Sequence, residues 1–164
     1  MAELAFGMMI MAVRNFYDGK SGTELMGKKL GIHAYGNVGR NVARIAKGIG
    51  MDIYAYDAYC PKEAMVADGV KPVDSAEELY ATCNVASLHI PATAETKNSI
   101  DYDLVNRMPK NGLLVNTARK EVINEADLLR LMNDRPGLKN VTDIMQAHLD
   151  EFAKHFPDRY YSTP

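Results

Sequence analysis

Cysteine is scarce in this chain. Cys60 and Cys83 are the only two among 164 residues, with neither metal-ligand spacing nor the disulfide-dense context of a small secreted scaffold. Both read as reduced residues of a cytoplasmic protein, and no metal site is expected. Charge of one sign is missing too. With 19 basic against 21 acidic residues, a net charge of −2 and no block of like charges, the footprint expected for nucleic acid or an anionic membrane is absent. A small molecule is the better partner. The one extended apolar run, Leu4-Ala-Phe-Gly-Met-Met-Ile-Met-Ala-Val13, is ten residues long, too short to span a bilayer. It is also wrongly flanked for a signal peptide, with Glu3 before it and Arg14 after it. Apolar all round, it predicts a helix buried on more than one side, a core helix that also meets another domain or subunit. Repeats, low-complexity tracts and internal linkers are lacking as well, so residues 1–164 read as one domain with one core.

What is present is an alternation of short apolar runs with amphipathic stretches, the pattern of β-α units on a parallel sheet. Strands are predicted over residues 29–35, 51–57, 70–73, 84–90, 112–116 and 138–144. Between the first two, Val38, Val42, Ile45, Ala46 and Ile49 share one helical stripe that Gly48 and Gly50 end. Pro61 can open a short helix, and Ser75 with Glu78 forms a capping box. A helix over 101–108 and another over 124–133, started by Asn124 and Asp127, complete the series. Residues beyond 145 show no such rhythm. Six strands so connected predict an α/β, doubly wound (Rossmann) parallel sheet in three α/β/α layers, with strand order 3-2-1-4-5-6.

The stretch Ala34-Tyr-Gly-Asn-Val-Gly39 departs by one residue from the G-x-G-x-x-G loop that seats a dinucleotide's pyrophosphate. Its context is complete: a strand before it, a helix after it, and Asp57 lying 21 positions beyond Gly36 at the end of the second strand. There a carboxylate can accept from both hydroxyls of the adenosine ribose and repel a phosphate on it, which favours NAD over NADP. Gly36 lets the backbone approach the pyrophosphate, Gly39 lets helix pack on strand, and the amides of Asn37 and Val38 point toward an anion. The missing first glycine only shapes the turn. Alanine there is tolerated at negative φ and costs roughly 1–2 kcal/mol if left-handed.

Four segments in order, Ala34-Tyr-Gly-Asn-Val-Gly39, Ser87-Leu-His-Ile-Pro-Ala-Thr-Ala-Glu-Thr96, Leu114-Val-Asn-Thr-Ala-Arg119 and Val141-Thr-Asp143, resemble the nucleotide-binding domain of the D-2-hydroxyacid dehydrogenases. The wording is most similar to the phosphoglycerate dehydrogenases within that family. The resemblance implies NAD as cofactor and a 2-hydroxy acid as substrate. It puts the amides of Asn37 and Val38 on the pyrophosphate, Asp57 on the ribose, His89, Ile90 and Pro91 on the adenine wall with Thr96 close by, and Thr117, Ala118 and Arg119 under the nicotinamide. Asp143 then accepts from the carboxamide, and Arg119 also grips the substrate's carboxylate and carbonyl, a task suited to its planar, permanently charged fork. Blander readings stand beside these: Asp143 as a turn former, His89 as a satisfied core histidine, and Arg119 paired with Glu121 or Glu125 at the surface.

By the same resemblance the substrate domain is absent, residues 1–18 form the interdomain and dimer helix region of a homodimer, and the general acid would stand just past Pro164. The family's orienting Glu corresponds here to His148. Asp150 and Glu151 are the nearest carboxylates, and neither is assigned by spacing; His148 and His155 match no family acid or base. These features imply a fragment that binds NAD without turning over. The alternative is a non-catalytic, NAD-sensing binding module of the corepressor type on the same fold.

Overall fold

The computed structural model describes residues 1–144 and 146–164. Helix α1 (Ala2–Val13) leads into β1 (Lys29–His33), α2 (Asn37–Ile49), β2 (Asp52–Tyr56), α3 (Lys62–Ala67), β3 (Lys71–Pro72), α4 (Ala76–Thr82) and β4 (Val85–Leu88). Then come α5 (Tyr102–Val105), β5 (Leu113–Asn116), α6 (Glu125–Asp134), β6 (Lys139–Thr142), α7 (Leu149–His155) and β7 (Tyr160–Ser162). All strand pairs are parallel, in the order β3-β2-β1-β4-β5-β6-β7. The doubly wound architecture is therefore the expected one, extended by a seventh strand. The strand order reverses between β1 and β4, and in such sheets ligands bind at the carboxyl edge beside that reversal.

The local signals act where the residue pattern places them. Asn124 accepts from the amide of Asp127, Asp101 from that of Leu104, and Ser75 from that of Glu78, so three helices start on side-chain caps. The Ser75 box closes one residue earlier than its usual form, because Glu78 accepts from the amide of Asp74. Gly50 stops α2 in the left-handed conformation, whereas Gly48 lies inside that helix.

Each face of the sheet is covered. On one side α1 and α2 bury Met9, Leu30, Ile32, Val42 and Val141; on the other α4, α5 and α6 bury Leu79, Tyr80, Leu88, Leu114 and Leu131. Each fully buried Leu or Ile contributes about 1.5–3 kcal/mol. Helix α1 uses Ala5, Phe6, Met8, Met9 and Ala12 for this packing and leaves Leu4 and Ile10 at the surface. Within this chain α1 buries one face, not the several that its all-round apolar sequence led one to expect. The segment beyond 145, read as unpatterned, holds α7 and β7. Phe152 stacks there on Tyr160 at 4.8 Å with Phe156 beside them, a cluster too short to show a period.

A close approach joins β1 to α2. A Cβ at Gly39 would lie 2.4 Å from the Ala34 carbonyl oxygen, so α2 reaches the strand only because residue 39 has no side chain. Ala34 itself has φ of 81°, which is the costly branch of the two open to it. Gly39→Ala is expected to lower unfolding free energy by about 1–3 kcal/mol, whereas Ala34→Gly raises it by about 1 kcal/mol. Urea denaturation of the two variants checks both signs.

Candidate functional site

Helix α2 opens at Gly36 with no side-chain cap, so the amides of its first turn have no intrahelical partners and face outward. Among the described residues a Cβ built on Gly36 would meet nothing within 4 Å, so the loop has open space at this position. Two contacts hold the loop in place. The Tyr35 amide donates to Asp57 Oδ2 at 2.7 Å, and the Tyr35 hydroxyl donates to Asp68 at 2.8 Å.

Asp57 also accepts from the amides of Tyr59 (2.8 Å) and Cys60 (3.1 Å). Burial alone would raise its pKa, but these three backbone donors outweigh it and hold the carboxyl below its ordinary value. Three of roughly four lone-pair directions are then taken. About one remains for an outside donor, fewer than two ribose hydroxyls acting separately would need.

A cleft of about 760 Å³ opens beside Asp57, inside the ~300–1,000 Å³ range of small-molecule sites. Ile90, Pro91 and Thr96 line it along with Ala34, so the β1, β2 and β4 ends converge on one cavity. The Thr96 hydroxyl donates to the Pro91 carbonyl at 2.6 Å and accepts from the Thr93 amide at 2.8 Å, which locks the loop forming one wall. His89 is not among the lining residues. Its Nε2 lies 2.9 Å from the Ser87 hydroxyl. Carboxylates dominate the lining, with Glu77, Glu95, Asp101 and Asp103 joining Asp57 against a single cation, Arg107.

A second cluster forms where β5, β6 and β7 end. The Asn116 side chain is fully buried, accepts from the Ala118 amide (2.9 Å) and donates to the Arg119 carbonyl (3.1 Å), fixing the turn that carries residues 117–119. The Thr117 hydroxyl is buried with no partner. Arg119 is exposed, and among the described residues its guanidinium meets only the Ala118 carbonyl. It does not pair with Glu125, whose carboxylate accepts instead from the amides of Ala147 and His148. Asp143 donates its own amide to the Asn116 carbonyl and accepts from the Thr163 hydroxyl at 3.0 Å.

The four remaining candidates stand elsewhere. His148 opens α7 and binds Glu151 at 3.0 Å; Asp150 and His155 are exposed on the same helix. Among the described residues, no group of three His, Cys, Asp or Glu side chains is placed to hold a metal. Two contributors carry no role in the motifs. Asn116 closes an apolar strand, where a buried amide is a turn signal. His33, the last residue of β1, lines the cleft.

The family model for the NAD binding domain of the D-isomer specific 2-hydroxyacid dehydrogenases matches residues 6–156. The chain belongs to this family. It is 36% identical to the D-3-phosphoglycerate dehydrogenase of Methanocaldococcus jannaschii over 169 aligned residues, covering 95% of this chain and 31% of that protein. D-3-phosphoglycerate dehydrogenase 3, chloroplastic, of Arabidopsis thaliana is 39% identical over 88% of this chain and 23% of its own length. The NAD+-bound 3-phosphoglycerate dehydrogenase of Entamoeba histolytica superposes with a TM-score of 0.92 at 42% identity, over 99% of this chain and 51% of that one. The chain therefore spans between about a quarter and a half of these relatives.

NAD is the family's cofactor, and the residues here fit it. The space before Gly36, the outward amides of α2, the acidic cleft and the orphaned Thr117 hydroxyl supply donors and room along one edge of the sheet.

Two imidazoles near this edge are strongly perturbed. Burial pushes His33 down to about 4 against the pull of Asp57 and Glu77, and burial likewise pushes His89 down to about 4. The unfolded chain protonates both near 6.5, so between there and about 4 it binds more protons than the fold does. Their contribution is intact above about pH 7 and is lost as the pH falls toward 4. Unfolding free energy at pH 5 should be lower than at pH 7 by about 2 kcal/mol for each imidazole. In urea titrations at both pH values, His89→Gln should remove about half of that difference.

Proposed function

We propose that this chain is the NAD-binding domain of a phosphoglycerate dehydrogenase, the enzyme that oxidises 3-phosphoglycerate to 3-phosphohydroxypyruvate at the start of serine synthesis. The observation that carries the proposal is the convergence, on one carboxyl edge, of free α2 amides, a clamped Asp57, an orphaned Thr117 hydroxyl and an Arg119 without a carboxylate partner. In this reading bound NAD supplies the hydride acceptor, and the protein supplies position and charge. The amides at Gly36, Asn37, Val38 and Gly39 hold the pyrophosphate, where a helix N-terminus contributes about 0.3–1 kcal/mol. Asp57 takes a ribose hydroxyl on its remaining lone pair. Ile90, Pro91 and the loop locked by Thr96 flank the adenine, with His89 bracing that wall from behind. Thr117 and Ala118 underlie the nicotinamide, and Asp143, oriented by Thr163, accepts from its carboxamide.

Arg119 holds the substrate's carboxylate and the oxygen at C2, bidentate and charged throughout. The lining acids Asp57, Glu77, Glu95, Asp101 and Asp103 disfavour a phosphate on the adenosine ribose, which supports NAD over NADP. Leu4 and Ile10, apolar and uncovered on α1, suit the interface of a homodimer. The reading includes a cytoplasmic setting and no nucleic-acid partner. Among the described residues no helix is long and apolar enough to cross a membrane.

These 164 residues alone are expected to bind NADH more tightly than NADPH and to oxidise phosphoglycerate only at background rate. Turnover at an ordinary enzymatic rate would overturn the second half of that statement. Asp57→Ala should weaken NADH and narrow its advantage over NADPH in a fluorescence titration; unchanged selectivity would leave Asp57 as a turn residue only. In a full-length protein carrying this domain, Arg119→Ala should lower turnover by about 10²-fold or more while NAD affinity stays within a few-fold. Retained activity would remove Arg119 from the mechanism.

A further inference from the structure

His33 is 8% exposed and lines the cleft at the end of β1. It faces α4, where the fully buried Tyr80 places its hydroxyl 3.0 Å from His33 Nδ1 and its ring edge-on to the imidazole, the centroids 5.7 Å apart. Tyr56, on the neighbouring β2, packs tilted against it at 5.8 Å. The ring is thereby in contact with two aromatics.

The hydrogen positions follow from what each atom can do. The Tyr80 hydroxyl has no other acceptor among the described residues, and a buried hydroxyl hydrogen left without one costs about 1–3 kcal/mol. It therefore donates to Nδ1. A neutral imidazole that accepts at Nδ1 carries its hydrogen at Nε2. Among the described residues Nε2 has no protein partner, and the cleft that His33 lines is the open space beside the ring.

The surrounding walls state what this donor meets. Tyr56, Ile90, Pro91 and Leu104 line the same cavity and offer flat or apolar surface, suited to the faces of an aromatic base. Adenine's ring nitrogens are acceptors. We infer that His33 is a cofactor-contacting specificity residue whose Nε2–H donates to a ring nitrogen of the bound adenine, with Tyr80 as the positioning residue that selects this tautomer. The inference rests on the reading of the cleft as the adenosine end of an NAD site. Arg107 is the only lining side chain with a permanent positive charge, so a neutral donor at His33 reads the base without attracting a further phosphate.

The test combines NADH fluorescence titration, AMP competition and imidazole ¹⁵N spectra on the whole chain. Wild type should show His33 protonated at Nε2 and bare at Nδ1, and His33→Leu should weaken NADH and AMP alike by about three- to tenfold. His33→Gln, which restores an N–H donor, should recover part of that loss. Tyr80→Phe should mix the two tautomers in the spectrum and weaken AMP less than His33→Leu does, an effect that lost packing alone does not produce in the nitrogen shifts. Equal or tighter binding by His33→Leu, or a wild-type spectrum with Nδ1 protonated, would overturn the inference while leaving the NAD site standing. Failure of wild type to bind NADH at all would instead remove the NAD reading on which it rests. If His33→Leu does not fold, the tautomer spectrum and His33→Gln still decide the matter.

Discussion

One carboxylate ties together the two strand ends on which the dinucleotide edge is built. Asp57 closes β2, yet its Oδ2 reaches across to the Tyr35 amide in the β1–α2 loop while Oδ1 gathers the Tyr59 and Cys60 amides of its own turn. Holding Tyr35 in this way leaves Ala34 left-handed, and that bend turns the Ala34 carbonyl onto Gly39. Helix α2 then starts against the strand with its free amides turned to open space. The bland and the functional readings of Asp57 are thus one geometry: the same ionised group shapes the loop and keeps a lone pair for a ligand. Ala34 bears the strain of that arrangement, of order 1–2 kcal/mol. The methyl is accommodated at a cost, more than a simple turn glycine's replacement would suggest.

A second junction works in parallel at the ends of β5, β6 and β7. Buried Asn116 folds the chain so that Thr117 and Arg119 emerge together, and its carbonyl accepts from the Asp143 amide. Strand β7 then brings the Thr163 hydroxyl onto the Asp143 carboxylate. Glu125, one of the two acids the sequence offers Arg119, is instead committed to capping the turn before α7.

Much of this was legible in the order of residues, for reasons that differ along the chain. The first six strands and their helices are read from apolar periodicity and caps such as Asn124 and Ser75, because those signals are local and each acts within four residues. β7 escaped because three residues carry no period; it exists through tertiary contacts, Phe152 on Tyr160 and pairing with β6. At the site, Asp57, Ile90, Pro91 and Thr96 share one cleft as their motif positions imply, since strand ends at one edge of a parallel sheet necessarily meet there. His89 points away from that cavity because alternation along β4 puts it on the side of Ser87, a face that motif spacing does not report. His33 could have been found by noting a polar residue at the cleft-facing end of an otherwise apolar strand. Its partner Tyr80 could not, being 47 positions away.

One edge of this sheet, and not the other, is the proposed seat of NAD. Amide chemical shifts of the ¹⁵N-labelled chain, followed through an NAD titration, test it directly. Saturable shifts should be concentrated at the amides of Gly36 to Gly39 and Thr117 to Arg119, leaving Lys110 and Gly137 beside the opposite cavity unmoved. Shifts centred on that opposite cavity, or none at all at saturating cofactor, would contradict it.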